Sequence, residues 1–127
     1  MSIAKFDSGT PWESDIRYSR AVRRGNFVAV SGTTAMEKDQ LIGRDDAGAQ
    51  ASFVFRKIIH ALSEVGASIH DVVRTRMYIT NPADANAVTQ AHAKVFADVR
   101  PAATLLVVEG FIDSSLLVEI EADAYIL

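Results

Sequence analysis

Seven residues, Val118 to Ala124, alternate between apolar groups and carboxylates: Val118, Ile120, Ala122 and Ala124 against Glu119, Glu121 and Asp123. A period of two is the mark of a β-strand with one buried face. Three like charges spaced two apart repel one another and are tolerated only where solvent or cations meet them. The chain must therefore build a sheet that is apolar on one side, with something positive facing the acidic side.

The run Thr104 to Val108 reads as another strand, joined to Leu116–Ala124 by a turn rich in Gly, Asp and Ser. Val72 to Thr80 supplies the cations: Arg74, Arg76 and Tyr78 fall on one side, with Val73, Thr75, Met77 and Ile79 on the other. Tyr18–Val22 and Phe27–Ser31 flank Arg23-Arg24-Gly25-Asn26, where Gly and Asn suit a hairpin turn. Gln40–Ile42 has room for one very short strand. Residues 1 to 17 read as an irregular lead-in with Trp12 packed down onto the domain.

Two segments are helical. From Asp45 or Asp46 to Val65, Ala51, Val54, Phe55, Ile58, Leu62 and Val65 recur at three- and four-residue steps, and Gly66 suits the stop. A second helix starts at Asn81-Pro82-Ala83-Asp84 and runs to about Asp98, with Ala85, Val88, Ala91 or His92, Val95 and Phe96 inward, before Arg100-Pro101 ends it. Two helices cover one face of a sheet of five or six strands, an α+β layer architecture. The other face, with its mixture of Arg74, Arg76, Tyr78, Glu119 and Glu121 among aliphatics, predicts sheet-to-sheet packing of subunits, with a site where they meet.

At 127 residues, 49% hydrophobic and 23% charged, the chain reads as one globular domain, 1–127. No apolar run approaches bilayer length and the N-terminus lacks an h-region, so the expectation is a cytoplasmic chain without membrane contact. With no cysteine there is neither a thiolate nucleophile nor a cysteine-ligated metal. A net charge of −3 argues against nucleic-acid binding. Its one basic cluster, Arg17, Arg20, Arg23 and Arg24, reads as a solvated hairpin. His60, His70 and His92 lack metal-ligand spacing and read as surface or packing residues. Nothing resembles a phosphate loop or dinucleotide fingerprint, so neither metal nor cofactor is expected.

Glu119 and Glu121 carry the chemistry that is left. A pair of acids does general acid and base work where the two environments differ, and otherwise neutralises Arg74 and Arg76 in a salt-bridge ladder. Gly32, after the strand Phe27–Val30, lets backbone N–H groups approach a ligand.

Arg17-Tyr18-Ser19, Phe27 to Thr33, Gly66-Ala67-Ser68, Val72 to Thr80, Val95-Phe96, Arg100-Pro101-Ala102 and Val118 to Ala122 together resemble the RidA family, also called YjgF or endoribonuclease L-PSP. The resemblance implies a chorismate-mutase-like fold, a mixed sheet of about six strands with two helices on one face, and a homotrimer with a small-molecule cleft between subunits. Active members hydrolyse enamines and imines to carbonyl compounds and ammonia. Residue by residue, Glu119 falls at the water-positioning glutamate, Tyr18 at the cleft tyrosine, and Ser31 with Gly32 at the ligand-contacting strand end.

The pattern breaks at Ala103, next to Thr104, where active members carry an arginine for the substrate carboxylate. The family's cleft asparagine falls near Thr89. A lost charge-assisted bidentate contact costs about 1.5 to 3 kcal/mol per hydrogen bond, more than tenfold in turnover. Arg74 or Arg76 is the expected source of a replacement cation. The alternative is a noncatalytic binding or regulatory trimer.

Overall fold

The computed structural model describes residues 3–127. Its elements are β1 (Ile3–Phe6), α1 (Pro11–Ile16), β2 (Ala21–Arg24), β3 (Phe27–Thr33), β4 (Met36–Glu37), β5 (Gln40–Leu41), α2 (Ala47–Glu64), β6 (Val72–Ile79), α3 (Ala85–Phe96), β7 (Ala102–Val107) and β8 (Val118–Tyr125). Six strands form one sheet in the order β1-β2-β3-β8-β6-β7, and β4 pairs with β5 apart from it. Only β6 and β7 run parallel, as strands joined through a helix do, so the sheet is mixed.

The two long helices lie on one face. Val54, Phe55, Ile58 and Leu62 of α2 are fully buried with Val118, Ile120, Ala122 and Ala124 of β8. Asp46 caps α2 by accepting from the Ala49 N–H, and Gly66, at φ +85°, follows its last turn. On α3, Val88, Ala91 and Phe96 are buried, and His92 turns half inward to hydrogen-bond Thr75 Oγ1 at 2.8 Å.

Gln50, also on α2, is wholly buried although polar. Its Nε2 donates to the carbonyls of Gly43 and Ser115, and its Oε1 accepts from the Leu117 N–H. One side chain thereby fixes the loop before α2 and the loop before β8.

Four expectations need correction. The lead-in is ordered: β1 adds an edge strand against β2, and Thr10 caps α1, which has Pro11 in its first turn. Its first two residues, Met1 and Ser2, lie outside the described residues. Trp12 is 59% exposed, while the buried residue of α1 is Glu13. Arg23 and Arg24 belong to β2, leaving Gly25-Asn26 as a two-residue turn.

Val73 leaves its assigned face. Val72 pairs with Ala124 and Arg74 with Asp123, so Val73 is an extra residue on β6 and is 50% exposed. A second irregularity lies on β3, where Val30 pairs with Ala122 but Thr33 with Ile120. That bulge contains Ser31 and Gly32. Among the described residues no helix is long and apolar enough to cross a membrane, and no cluster of three or more His, Asp or Glu could hold a metal.

Candidate functional site

The bulge on β3 and the acidic side of β8 meet. With its one extra residue, β3 brings Gly32 against the Glu119 side chain. A Cβ built on Gly32 would stand 3.0 Å from Glu119 Cδ and would overlap its Oε2. Glycine is needed here for space, because its φ is not positive.

Glu119 is half-buried on the face that the helices leave bare, in register with Tyr78 of β6. Burial pushes its carboxyl pKa up, Arg20 opposes that shift, and the like charge of Glu121 adds to it. The pair is therefore differentiated: Glu121 is bound to a guanidinium, and Glu119 is held in a drier place beside a backbone.

The cationic partner of the acidic strand is Arg76. Its Nη1 lies 3.1 Å from Glu121 Oε1 and 3.2 Å from Asp123 Oδ2. The predicted ladder thus contains neither Glu119 nor Arg74. Arg74 pairs in register with Asp123 but makes no ion pair among the described residues, and Arg76 is already committed to two carboxylates.

Behind Gly32 lies a network that the reading of the sequence missed. Arg20, placed in the solvated cluster by its neighbours, is only 7% exposed. Its guanidinium donates to Gly32 O at 2.6 Å, Thr33 Oγ1 at 3.2 Å and Tyr18 Oη at 3.1 Å. It also stands 3.6 Å from Glu13, which is 1% exposed. Ser8 donates to Glu13 through both N–H and hydroxyl, and Thr10 through its hydroxyl.

Burial opposes the charge on Glu13, but these hydrogen bonds outweigh it and hold the carboxyl down to about 2. The signal for this network was present in Thr10-Pro11-Trp12-Glu13. Ser/Thr followed three residues later by Glu, with proline at the first helical position, marks a helix start whose Glu folds back.

The remaining expected residues fall in two places. Tyr18 joins the network through Arg20, and Ser31 Oγ donates to Ser19 O at 2.7 Å. Tyr18, Ser31, Gly32 and Glu119 thus gather at one end of β3 and β8. Ala103 and Thr104 sit on the edge strand β7, in register with Thr75 and Arg76, so β6 lies between them and β8. Ala103 pairs with the wholly buried Thr75 and takes the helix side of the sheet, opposite Glu119. Thr89 bonds back to Ala85 O and Asn86 O within α3.

A two-layer α+β domain with an uncovered, charged sheet face and a carboxylate set against a glycine bulge defines a class also visible in comparison with known proteins. The endoribonuclease L-PSP family model matches residues 11–126, and the chain belongs to this family, the RidA or YjgF family. An uncharacterised protein of Streptomyces coelicolor, SCO2049, is 43% identical over 98% of this chain and 92% of its own. The 3-aminoacrylate deaminase RutC of Acinetobacter baylyi is 33% identical over 86% of each chain. Among solved structures, Rv2704 of Mycobacterium tuberculosis, a member of the YjgF/YER057c/UK114 family, superposes with a TM-score of 0.90 at 42% identity, covering 98% of this chain and 100% of that one.

Proposed function

We propose that this chain forms a homotrimer whose inter-subunit clefts bind a small metabolite, and that Glu119 orients water for attack on the C=N carbon of an enamine's imine tautomer. The observation that carries the reading is the seating of Glu119 against Gly32, where burial raises the carboxyl pKa and makes the carboxylate a stronger base than a free one. Water adds through oxygen to the imine carbon and its protons pass to nitrogen. The C–N bond then breaks, leaving a carbonyl compound and ammonia. The named activity of the Acinetobacter baylyi relative, 3-aminoacrylate deamination, belongs to the same bond class. The separation of Ala103 from Glu119, with β6 between them and on opposite faces, supports a cleft completed by β7 of a second copy.

A noncatalytic binding trimer is the second reading. It is favoured by the alanine at position 103 and by the pairing of Arg76 with its own acids, which leaves a substrate carboxylate without an obvious fork.

The test is hydrolysis of freshly generated imines, made from amino acids of different side-chain size, by wild type, Glu119→Gln and Ala103→Arg. Turnover by wild type that Glu119→Gln lowers by about 10²-fold or more supports catalysis. Turnover untouched by Glu119→Gln removes that role. Saturable binding without conversion by either wild type or Ala103→Arg selects the second reading.

A further inference from the structure

Between β1 and α2 a cavity of about 340 Å³ opens, lined by Phe6, Ser8, Arg20, Phe53, Arg56, Lys57 and His60. It does not include Glu119. Its walls are almost wholly carbon, yet four of the seven lining residues are basic and none is acidic. A pocket of this size holds a ligand of about one ring.

The donors differ in what they have left to give. Arg20 is spent: its two terminal nitrogens are bonded to Gly32, Thr33 and Tyr18, and its Nε is buried without a partner. Lys57 Nζ donates to Thr34 O at 2.8 Å and Met36 O at 2.7 Å, which leaves one N–H. Arg56 is exposed, lies with its guanidinium carbon 5.2 Å from the Phe53 ring centroid, and forms no ion pair among the described residues. Its whole fork is available.

We propose that this cavity binds a small monocarboxylate with a compact apolar body, the body between Phe6 and Phe53 and the carboxylate at the mouth, between the exposed Arg56 fork and Lys57. One planar fork and one remaining ammonium N–H match the two oxygens of a carboxylate. The electrostatics agree with the geometry. Burial and then the Arg20 charge hold Lys57 down to about 8, against the pull of Glu13 and Glu37. His60 stands edge-on to Phe6 and is turned to Glu64 at 3.5 Å, so the acid nearest to it faces the histidine rather than Arg56 or Lys57. An anion entering here relieves repulsion between cations that the chain itself leaves only partly neutralised.

The experiment titrates the full-length protein by NMR with three isosteric probes: 3-phenylpropionate, 3-phenylpropionamide and 3-phenylpropylamine. The expected result is a dissociation constant of about 1 mM or below for the carboxylate, with the amide at least about tenfold weaker and the amine weaker still. Arg56→Gln and Lys57→Gln each remove most of the carboxylate preference, and carboxylate binding shifts the Lys57 titration upward from about 8. Equal binding of acid and amide, no binding of the acid at about 10 mM, or affinity unchanged by Arg56→Gln overturns the proposal. Arg56 is exposed, so that variant decides the matter even if Lys57→Gln fails to fold.

Discussion

Gly32 and Glu119 occupy one another's space so closely that only a hydrogen atom fits on the Gly32 Cα facing the carboxylate. The contact depends on the bulge at Ser31-Gly32, because a regular ladder between β3 and β8 would carry these residues past one another in step. Gly32→Ala forces the Glu119 side chain to move. Because the flexible end of Glu119 can swing aside, the expected outcome is a stability loss of about 1 kcal/mol or less by urea denaturation. Any imine hydrolysis should drop at least tenfold, near the level of Glu119→Gln. Full activity in Gly32→Ala would show that the placement of the carboxylate is not what matters.

Glu119 should also cost the fold stability at neutral pH. Its carboxyl is raised above the ordinary value of 4.5, so the folded chain holds that proton more tightly than the unfolded one. Stability from this group is greatest below pH 4.5 and falls as pH rises through the folded value. Glu119→Gln is therefore expected to raise Tm at pH 7 relative to wild type and to change it little near pH 4. Thermal scans at the two pH values check this, and the opposite order would contradict the burial argument.

Glu13 behaves in the reverse sense. With its carboxyl near 2 in the folded chain against 4.5 otherwise, it adds stability above pH 4.5 that is lost as pH falls toward 2. The swing is about 3 kcal/mol. Glu13→Gln should be less stable at pH 7, because Arg20 is left buried without its counter-charge, and its acid transition should be correspondingly shallow. Urea midpoints measured from pH 2 to pH 7 in both proteins make the comparison.

The sheet, both long helices and the charged bare face were legible because they rest on repeating patterns: the alternation through Val118–Ala124 and the three- and four-residue steps from Ala51 to Val65. What escaped depends on single residues that act across distance. Val73 fits its strand's alternation in sequence, and only pairing with β8 reveals it as the extra residue. Arg20 sits among three other arginines, and nothing local distinguishes the one that finds a buried glutamate. The place of Ala103 on the far face of the sheet follows from register with Thr75, which one strand read alone cannot supply.

Gln50 offers a test of stability away from the site. Gln50→Leu keeps much of the volume but leaves the Leu117 N–H and the Gly43 and Ser115 carbonyls without this partner in a buried place. A loss of about 2 to 4 kcal/mol is expected from the urea midpoint. A loss below about 0.5 kcal/mol would mean that water replaces the amide freely.

The strand order has a consequence for how the molecule is made. β8 lies between β3 and β6, so within the sheet β1-β2-β3 and β6-β7 are joined only through it. On a ribosome, a nascent chain that has exposed both halves still lacks the strand that sews them together. Each half meanwhile presents an open edge to whatever is nearby. The acidic row of β8 is the last part of that seam to arrive, and its match with Arg76 offers the waiting halves a charge code for accepting this strand over a stray one.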